Sequence, residues 1–358
     1  MRVSRPKAGS GSAQITAVIP CYNYGHFLPD VVASVLGQEG VDARVIVVDD
    51  CSSDDSLRVA RRLADADPRV TVIVHPVNRG HIATYNDGLE AVETEYATLV
   101  SADDLAAPGA FARATALMEA HPKVGMVYGR PLSFEGAPPN VLRKRVPQTW
   151  TVWGGQEWIR LASLRGRNFI LSPEVIMRTN AVRDIGGYNA ALPHSGDLEY
   201  WLRTASHWDV GHINGRVQAY YRHHSANMHE TSFAGMSTDL RHRAKAFDYL
   251  GSDSFAAASS DGQRLEARAR RAMVRETIGL ARLELDLGGD VETARALRTT
   301  AVELSPGTVR PSRLRTLDKR ISRAAADRRP TTAHKLRRSV TSVAVAAKWR
   351  IWSYAGVS

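Results

Sequence analysis

The feature that most constrains the fold is a series of five short apolar runs near the start of the chain. They are rich in valine and isoleucine, and they are ITAVIP (15–20), RVIVVDD (44–50), VTVIVHP (70–76), YATLVS (96–101) and VGMVYG (124–129). Near-continuous β-branched residues are typical of strands that are buried on both faces, as in a parallel sheet. Between the runs, apolar residues recur every three or four positions, which indicates helices. The alternation predicts an α/β fold with a doubly wound, mostly parallel, Rossmann-like sheet.

Polar residues follow four of these predicted strands. They are Pro20 through Asn23, Asp49-Asp50, His75 through Gly80, and Ser101 through Asp104. In open α/β sheets, ligands bind outside the carboxyl ends of the strands. Four polar strand ends on one edge therefore predict a binding site at that edge.

Two pairs of adjacent aspartates belong to this edge, and each pair has two interpretations. Serine and aspartate are good helix N-cap residues, and Pro108 suits the first turn of a helix that follows Asp103 and Asp104. A carboxylate at a strand tip, such as Asp50, can instead accept a hydrogen bond from a base or a ribose hydroxyl. Adjacent carboxylates also suit Mg²⁺ or Mn²⁺, with diphosphate oxygens and water completing the shell. Because both pairs lie on one predicted edge, we favour a metal site at Asp103 and Asp104.

Asp197 is the candidate for acid–base chemistry. It begins a predicted helix over residues 197–206 in the segment HSGDLEYWLRTA. It either caps that helix or, facing the same cleft, acts as a general base on an attacking hydroxyl. Glu199 is a weaker candidate for the same role.

Basic and amide residues complete the candidate set. Arg222 and His224 end an extended segment over residues 208–224. A diphosphate pocket is predicted from Asn78, Arg79 and Asn86. The two cysteines, Cys21 and Cys51, do not form a disulfide framework, and they fit a reducing cytoplasm.

The positive charge is concentrated at the end of the chain. The net charge is +10, but residues 305–358 carry 13 lysines and arginines against two aspartates, so residues 1–304 sum to −1. In residues 331–358, an apolar stripe at helical spacing predicts a helix, flanked by basic residues. This helix either packs on its neighbours, which we favour, or makes a peripheral contact with the inner membrane face. No window reaches the apolar length of a spanning helix.

Four segments, in this order, resemble the family 2 glycosyltransferases, whose fold is of the GT-A type. The segments are VIPCYNYGHFLPDVVASVLGQ, VIVVDDCSSDDS, NRGHIATYNDGLEAVETEYATLVSADD and GGYNAALPHSGDLEYWLR. The resemblance runs from Ile15 to Asn227. It implies a GT-A domain (14–230) with a nucleotide-binding half (14–130) and an acceptor half (131–230). Outside the resemblance, the basic, Gly/Ser-rich composition of residues 1–13 predicts a disordered lead-in, and the Ala/Arg/Leu-rich composition of residues 235–358 predicts a helical basic region.

The activity implied by the resemblance is transfer of a sugar with inversion, from a nucleotide-diphosphate sugar to an acceptor hydroxyl. A UDP-sugar is favoured as donor, and the acceptor is a carbohydrate or a lipid-linked molecule. The expected setting is cell-surface polysaccharide or glycoconjugate synthesis in the cytoplasm, with no nucleic-acid partner.

The resemblance also implies a role for each candidate residue. Asp103 would ligate Mn²⁺ or Mg²⁺ with help from Asp104, and Asp197 would deprotonate the acceptor hydroxyl. Arg222 and His224 resemble a late segment that closes over the diphosphate. The nucleotide is expected to contact Pro20, Tyr22, Asp50, Asn78, Arg79, Asn86 and Asp103.

Two positions depart from the family pattern. Ser101 occupies the first position of the DXD-like motif, where aspartate is commoner, so metal ligation rests on the two aspartates that follow. Cys51 replaces a usual glycine, and cysteine would be strained there if the backbone needs a positive φ.

Three other functions are weighed against this one. A non-catalytic sugar-nucleotide-binding homologue would lack turnover. Four aspartates with expected roles are retained, which argues against this function; they are Asp50, Asp103, Asp104 and Asp197. A nucleotidyltransferase normally has a Gly-rich basic loop after its first strand, which PCYNYGHF lacks. A nucleic-acid binder using the basic tail would bind polyanions with a steep salt dependence.

Overall fold

The computed structural model describes residues 1–137, 148–224, 235–306 and 311–326. The chain divides into two compact units. Among the described residues, the first unit comprises 1–158 and 169–224, and the second comprises 159–168, 235–306 and 311–326.

The first unit is built on a mixed ten-stranded sheet. Its strands are β1 (Arg2–Ser4), β2 (Gln14–Cys21), β3 (Asp42–Asp49), β4 (Val70–Val74), β5 (Tyr96–Leu99), β6 (Leu105–Ala106), β7 (Val124–Phe134), β8 (Thr149–Trp153), β9 (Ile176–Arg178) and β10 (Asp209–Arg222). The order is β1-β8-β10-β7-β9-β5-β2-β3-β4, with β6 paired to β10. Strands β5, β2, β3 and β4 are mutually parallel, as are β7 and β10. Strands β1, β8 and β9 pair with their neighbours in antiparallel fashion.

Seven helices occur between these strands in the sequence. They are α1 (Leu28–Leu36), α2 (Ser56–Ala66), α3 (His81–Glu90), α4 (Ala110–Ala120), α5 (Gly155–Arg165), α6 (Thr179–Ile185) and α7 (Gly196–His207). The apolar faces of α1 and α2 join the buried core beneath β2 and β3, as the helical spacing predicts. A short 3₁₀ turn, Ser172–Glu174, precedes β9.

The five valine-rich runs all form strands, and their registers align the polar ends as predicted. Cys21 lies opposite Asp49, which in turn lies opposite Val74. The ladder continues past the strands, because Asp50 N–H donates to the Cys21 carbonyl and His75 N–H donates to the Asp49 carbonyl, both at 2.9 Å. The loops after β2, β3 and β4 therefore leave the sheet at one edge.

One detail differs from the sequence expectations. Residues 2–4, expected to be disordered, form β1 because β8 offers an unpaired edge on which they add a strand. The helix expected over 331–358 lies outside the described residues.

The second unit is helical where it is described. Besides part of α5, it contains α8 (Met236–Phe247), α9 (Asp253–Ala256), α10 (Gly262–Asp286), α11 (Val291–Glu303), α12 (Pro311–Ala326) and a 3₁₀ turn, Asp248–Gly251. A short turn joins α10 and α11. Asp290 caps α11, since its side chain accepts from Thr293 N–H at 2.9 Å. In the described ranges no helix is both long and apolar enough to cross a membrane.

Candidate active site

Asp50 lies at the predicted edge of the sheet, but its carboxylate is engaged by the protein itself. Oδ1 accepts from Arg79 N–H at 2.8 Å and contacts His75 Nδ1 at 2.7 Å, while Oδ2 accepts from Gly80 N–H at 2.9 Å. The side chain is buried. Burial raises the pKa of Asp50, but the hydrogen bonds from Arg79, His75 and Gly80 outweigh it and leave that pKa lowered. Asp50 therefore fixes the loop that leads into α3, and its contact with the base or ribose of a nucleotide stays a prediction.

His75 connects Asp50 to helix α3, a link that the sequence did not reveal. Its Nε2 atom lies 2.9 Å from Asp87 Oδ2, and Arg79 forms an ion pair with the same carboxylate. The imidazole thus lies between two carboxylates, one directly after β3 and one on α3. Asn78 and Arg79 are exposed at this corner, where they can meet a ligand.

The loops after β2 and β3 are tied together by Asn23. Its Oδ1 atom accepts from Ser53 N–H at 2.8 Å, and its own N–H donates to Ser52 Oγ at 3.0 Å. Tyr22 is 50% exposed beside this crossing, and Pro20 is partly buried. Cys51 has a φ of +59°, which confirms that a non-glycine residue occupies a left-handed position.

Asp103 and Asp104 have different partners. Asp104 is almost fully buried, and its Oδ1 atom accepts from Arg222 N–H at 2.9 Å. Burial, followed by the charge of Asp103, raises the pKa of Asp104 well above its usual value. Asp103 Oδ2 instead lies 2.9 Å from Nε2 of His224, 121 residues later in the chain. The structure therefore pairs Asp103 with an imidazole and Asp104 with the backbone of β10.

Arg222 was expected to close over a diphosphate, but its guanidinium group is directed into the protein. Nε donates to the Asp103 carbonyl at 2.8 Å and Nη1 donates to the Gly136 carbonyl at 2.7 Å. The group also lies between the rings of Phe27 and Phe134, at 4.7 and 4.6 Å from their centroids. These contacts bury the side chain, so Arg222 holds the acidic loop in place.

The aromatic residues after β2 form one side of the Asp103–His224 pair. The ring of Tyr24 lies 5.6 Å from the imidazole of His224, and the ring of Phe27 lies 5.5 Å from it. Burial, with a smaller contribution from Asp103, raises the pKa of Tyr24 to about 12. The loop after β2 thus contributes to the nucleotide edge and to this pair.

Asp197 lies in the first turn of α7, two positions after the N-cap residue Ser195. Its Oδ1 atom accepts from Leu198 N–H at 2.8 Å, so the carboxylate satisfies a backbone donor of the first turn, and its role as a base stays a prediction. The pKa of Tyr85, on α3, is raised mainly by burial, and then by the charges of Asp197 and Asp103. The candidate base and the candidate metal ligand therefore both contribute to the raised pKa of this one tyrosine.

Asn86 was expected to contact a diphosphate, and the structure gives it another role. Its Nδ2 atom donates to the Tyr188 carbonyl at 3.0 Å, and its Oδ1 atom accepts from Tyr188 N–H at 2.6 Å. The amide therefore joins α3 to the loop before α7. Glu199, the weaker candidate base, forms a buried ion pair with Arg203 at 2.8 Å.

Glu174 is a buried carboxyl that the sequence analysis missed. Oε1 accepts from Leu171 N–H at 2.7 Å, and Oε2 has no hydrogen-bond partner in the described part of the chain. Burial raises the pKa of Glu174 well above its ordinary value, with smaller contributions from Asp104 and Asp197. The amino-acid sequence gives no sign that Glu174 is buried, because glutamate is usually exposed.

A divalent cation fits Asp103 and His224 by the chemistry of their donor atoms. An ionised carboxylate oxygen and a neutral imidazole nitrogen are both metal ligands, and they already lie within 3 Å of each other. No group of three or more histidine, cysteine or acidic side chains with metal-binding geometry occurs in the described ranges. Two protein ligands would leave positions for phosphate oxygens and water. Imidazole favours Mn²⁺ over Mg²⁺, which takes oxygen ligands.

Solved structures share this architecture. TarS 1-349 of S. aureus in complex with UDP-GlcNAc has a TM-score of 0.57 at 16% identity, over 85% of this chain and 83% of that one. The mannosyltransferase PcManGT from Pyrobaculum calidifontis, in complex with GDP-Man and Mn²⁺, has a TM-score of 0.53 at 15% identity, over 98% and 87%. The fold is thus that of the GT-A glycosyltransferases.

Sequence comparison gives the family. Residues 16–185 match the model of Glycosyl transferase family 2. An uncharacterized protein of Mycobacterium tuberculosis is 30% identical over 214 residues, which are 53% of this chain and 61% of the relative. Succinoglycan biosynthesis protein ExoO of Rhizobium meliloti is 33% identical over 103 residues, 29% of each chain. Residues 16–185 therefore form a glycosyltransferase family 2 domain, and the chain spans less than two thirds of the length of these curated relatives.

Proposed function

We propose that the chain transfers a sugar, with inversion, from a nucleotide-diphosphate sugar to an acceptor hydroxyl. The observation that carries the proposal is the convergence of Asp103 and His224 in a GT-A fold whose helix α7 has Asp197 in its first turn. A UDP-sugar is the favoured donor. Structural neighbours that hold UDP-GlcNAc and GDP-Man support a nucleotide sugar of this kind.

The proposed roles follow from the position of each side chain. Tyr22 and Pro20 border the base and ribose, and Asp50 holds the Arg79–Gly80 backbone that shapes the pocket. Asp103 and His224 would bind Mn²⁺, and Asp104 keeps the acidic loop attached to β10. A bound divalent ion neutralises negative charge on the departing diphosphate. Asp197 accepts the proton of the acceptor hydroxyl as that oxygen attacks the anomeric carbon.

The acceptor is proposed to be a carbohydrate or a lipid-linked molecule in polysaccharide or glycoconjugate synthesis. The match to a succinoglycan biosynthesis protein supports this setting. A cytoplasmic location belongs to the same proposal. The proposed membrane contact through residues 331–358 concerns residues outside the described ranges.

The decisive test is a panel of nucleotide sugars, screened by thermal shift with Mn²⁺ and then by release of nucleoside diphosphate. We expect one donor to raise the melting temperature and to be turned over. Asp197→Asn is the matched variant, since it keeps the shape of the side chain and removes its basicity. It should bind the donor normally and lose turnover by about 10²–10⁴-fold. Near-normal turnover in this variant would show that Asp197 is not the base.

The same experiment separates the alternatives. A non-catalytic homologue would bind a donor without releasing nucleoside diphosphate. A nucleotidyltransferase would turn over no nucleotide sugar in this panel, and in a parallel assay it would release inorganic diphosphate from a nucleoside triphosphate and a sugar phosphate. Either result would overturn the proposed transfer reaction.

A further inference from the structure

Four arginines of α10 form a stripe along one face of the helix. They are Arg264, Arg268, Arg271 and Arg275, and all four are exposed. Their spacing of four, three and four residues keeps them on one face, because the helix has 3.6 residues per turn. The stripe is about 16 Å long at 1.5 Å per residue.

These arginines line a cleft in the helical unit. The cleft has a volume of about 370 Å³, and its other lining residues are Arg160 and Leu164 of α5 and Leu265 of α10. This volume lies within the range of small-molecule sites. Leu164 is 40% exposed, so the lining contains an apolar contact surface as well as positive charge.

Few acidic groups oppose this charge. Asp261 forms ion pairs with Arg264 at 2.7 Å and with Arg160 at 3.7 Å. Within the described ranges, no carboxylate lies within ion-pair distance of Arg268, Arg271 or Arg275. Residues 235–306 contain eleven lysines and arginines and eleven aspartates and glutamates, so they carry no net charge. The cleft is therefore a local concentration of positive charge in a neutral segment.

We propose that this cleft binds the phosphate headgroup of an anionic phospholipid and thereby attaches the protein to a membrane surface. Guanidinium groups bind phosphate oxygens in pairs of parallel hydrogen bonds, which lysine cannot do. The exposed Leu164 provides apolar contact for the glycerol and acyl part of the same lipid. A nucleic acid backbone has no such apolar part, and a cleft of this volume holds one headgroup rather than a duplex. The proposal does not depend on the sugar-transfer reaction.

The test is co-sedimentation of the full chain with vesicles of phosphatidylglycerol and phosphatidylcholine, and with phosphatidylcholine alone. The triple variant Arg268→Gln, Arg271→Gln, Arg275→Gln should bind the anionic vesicles about a hundredfold more weakly. Phosphatidylcholine vesicles should bind none of the proteins appreciably. Circular dichroism should be unchanged, because the substituted side chains are exposed.

The matched control removes the same charge from exposed positions of another helix in the same unit. It is the triple variant Arg313→Gln, Arg315→Gln, Lys319→Gln on α12. We expect the α12 variant to retain most of the binding, since the three charges that it removes contribute only long-range electrostatic attraction to the vesicle. Equal losses in the two variants, or no loss in the cleft variant, would overturn the proposal. Tighter retention of a DNA duplex than of vesicles, with the same dependence on the cleft arginines, would also overturn it.

Discussion

Asp49-Asp50 and Asp103-Asp104 both lie at the carboxyl ends of parallel strands, yet the fold uses the two pairs differently. In the first pair, both carboxylates serve the protein. Asp49 accepts from Ser52 N–H, and Asp50 holds the loop into α3. In the second pair, only Asp104 is bonded to backbone, and Asp103 faces an imidazole. The proposed ligand site therefore coincides with the pair in which one carboxylate is left outside the backbone network.

The largest effect is expected from Asp103→Asn. The substitution keeps the size of the side chain and removes the charge, so Mn²⁺-dependent donor affinity should fall by about a hundredfold or more. Titration of the donor with and without Mn²⁺ measures this change. Asp104→Asn is the control within the pair, and it should keep most of the affinity. Equal losses in both variants would contradict the division of roles between the two aspartates.

Asp50→Asn should act on stability. Loss of the charge weakens hydrogen bonds to a buried ionised group, which reduces the free energy of unfolding by about 2 kcal/mol at pH 7. Because the pKa of Asp50 is lowered on folding, this contribution is present above the unfolded value of 3.8 and is lost as pH falls through the folded value. Denaturant unfolding between pH 3 and pH 7 should show the two proteins converging in acid. Asp55→Asn, at an exposed carboxylate of the same loop, should leave the midpoint unchanged.

Glu174→Gln should show the opposite dependence on pH. The pKa of Glu174 is raised on folding, so the unfolded chain loses its proton first and the parent protein loses stability as pH rises above 4.5. Glutamine stays neutral, and the variant should match the parent near pH 4.5 and exceed it by about 1–2 kcal/mol at pH 8. A difference in stability that does not change with pH would show that Glu174 is ionised in the folded protein.

The smallest effect is expected from Cys51→Gly. Glycine relieves the left-handed strain at φ +59°, worth about 1 kcal/mol, but it also increases the entropy of the unfolded chain by a similar amount. The melting temperature should change little or rise slightly. The Cys51→Ala variant keeps the strain, so its melting temperature should not rise. A clear loss of stability in the glycine variant would mean that the cysteine side chain itself stabilises the turn.

The sheet was predictable because its signal is local, whereas the site depends on distant partners. Runs such as RVIVVDD identify buried strands through the side chains themselves, and the rule for parallel sheets then places their polar ends on one edge. Nothing local indicates that His224 meets Asp103, or that His75 lies between Asp50 and Asp87. Candidate residues were recognised by chemical type. Which of these residues face a ligand and which hold the fold together, as Arg222 and Asn86 do, follows only from the side-chain packing.

The contacts of Arg222 bear on when this site can form during synthesis. The strands β2 to β5 and their helices come from the first hundred residues, and they can pair as soon as these have left the ribosome. Asp103 and Asp104 then lie side by side without their partners, because Arg222 and His224 are made more than a hundred residues later. When that long loop closes, the Arg222 guanidinium group enters between two aromatic rings. Its positive charge then reduces the repulsion between Asp103 and Asp104. A nascent chain that stops before β10 should therefore contain the parallel sheet and remain unable to bind the donor.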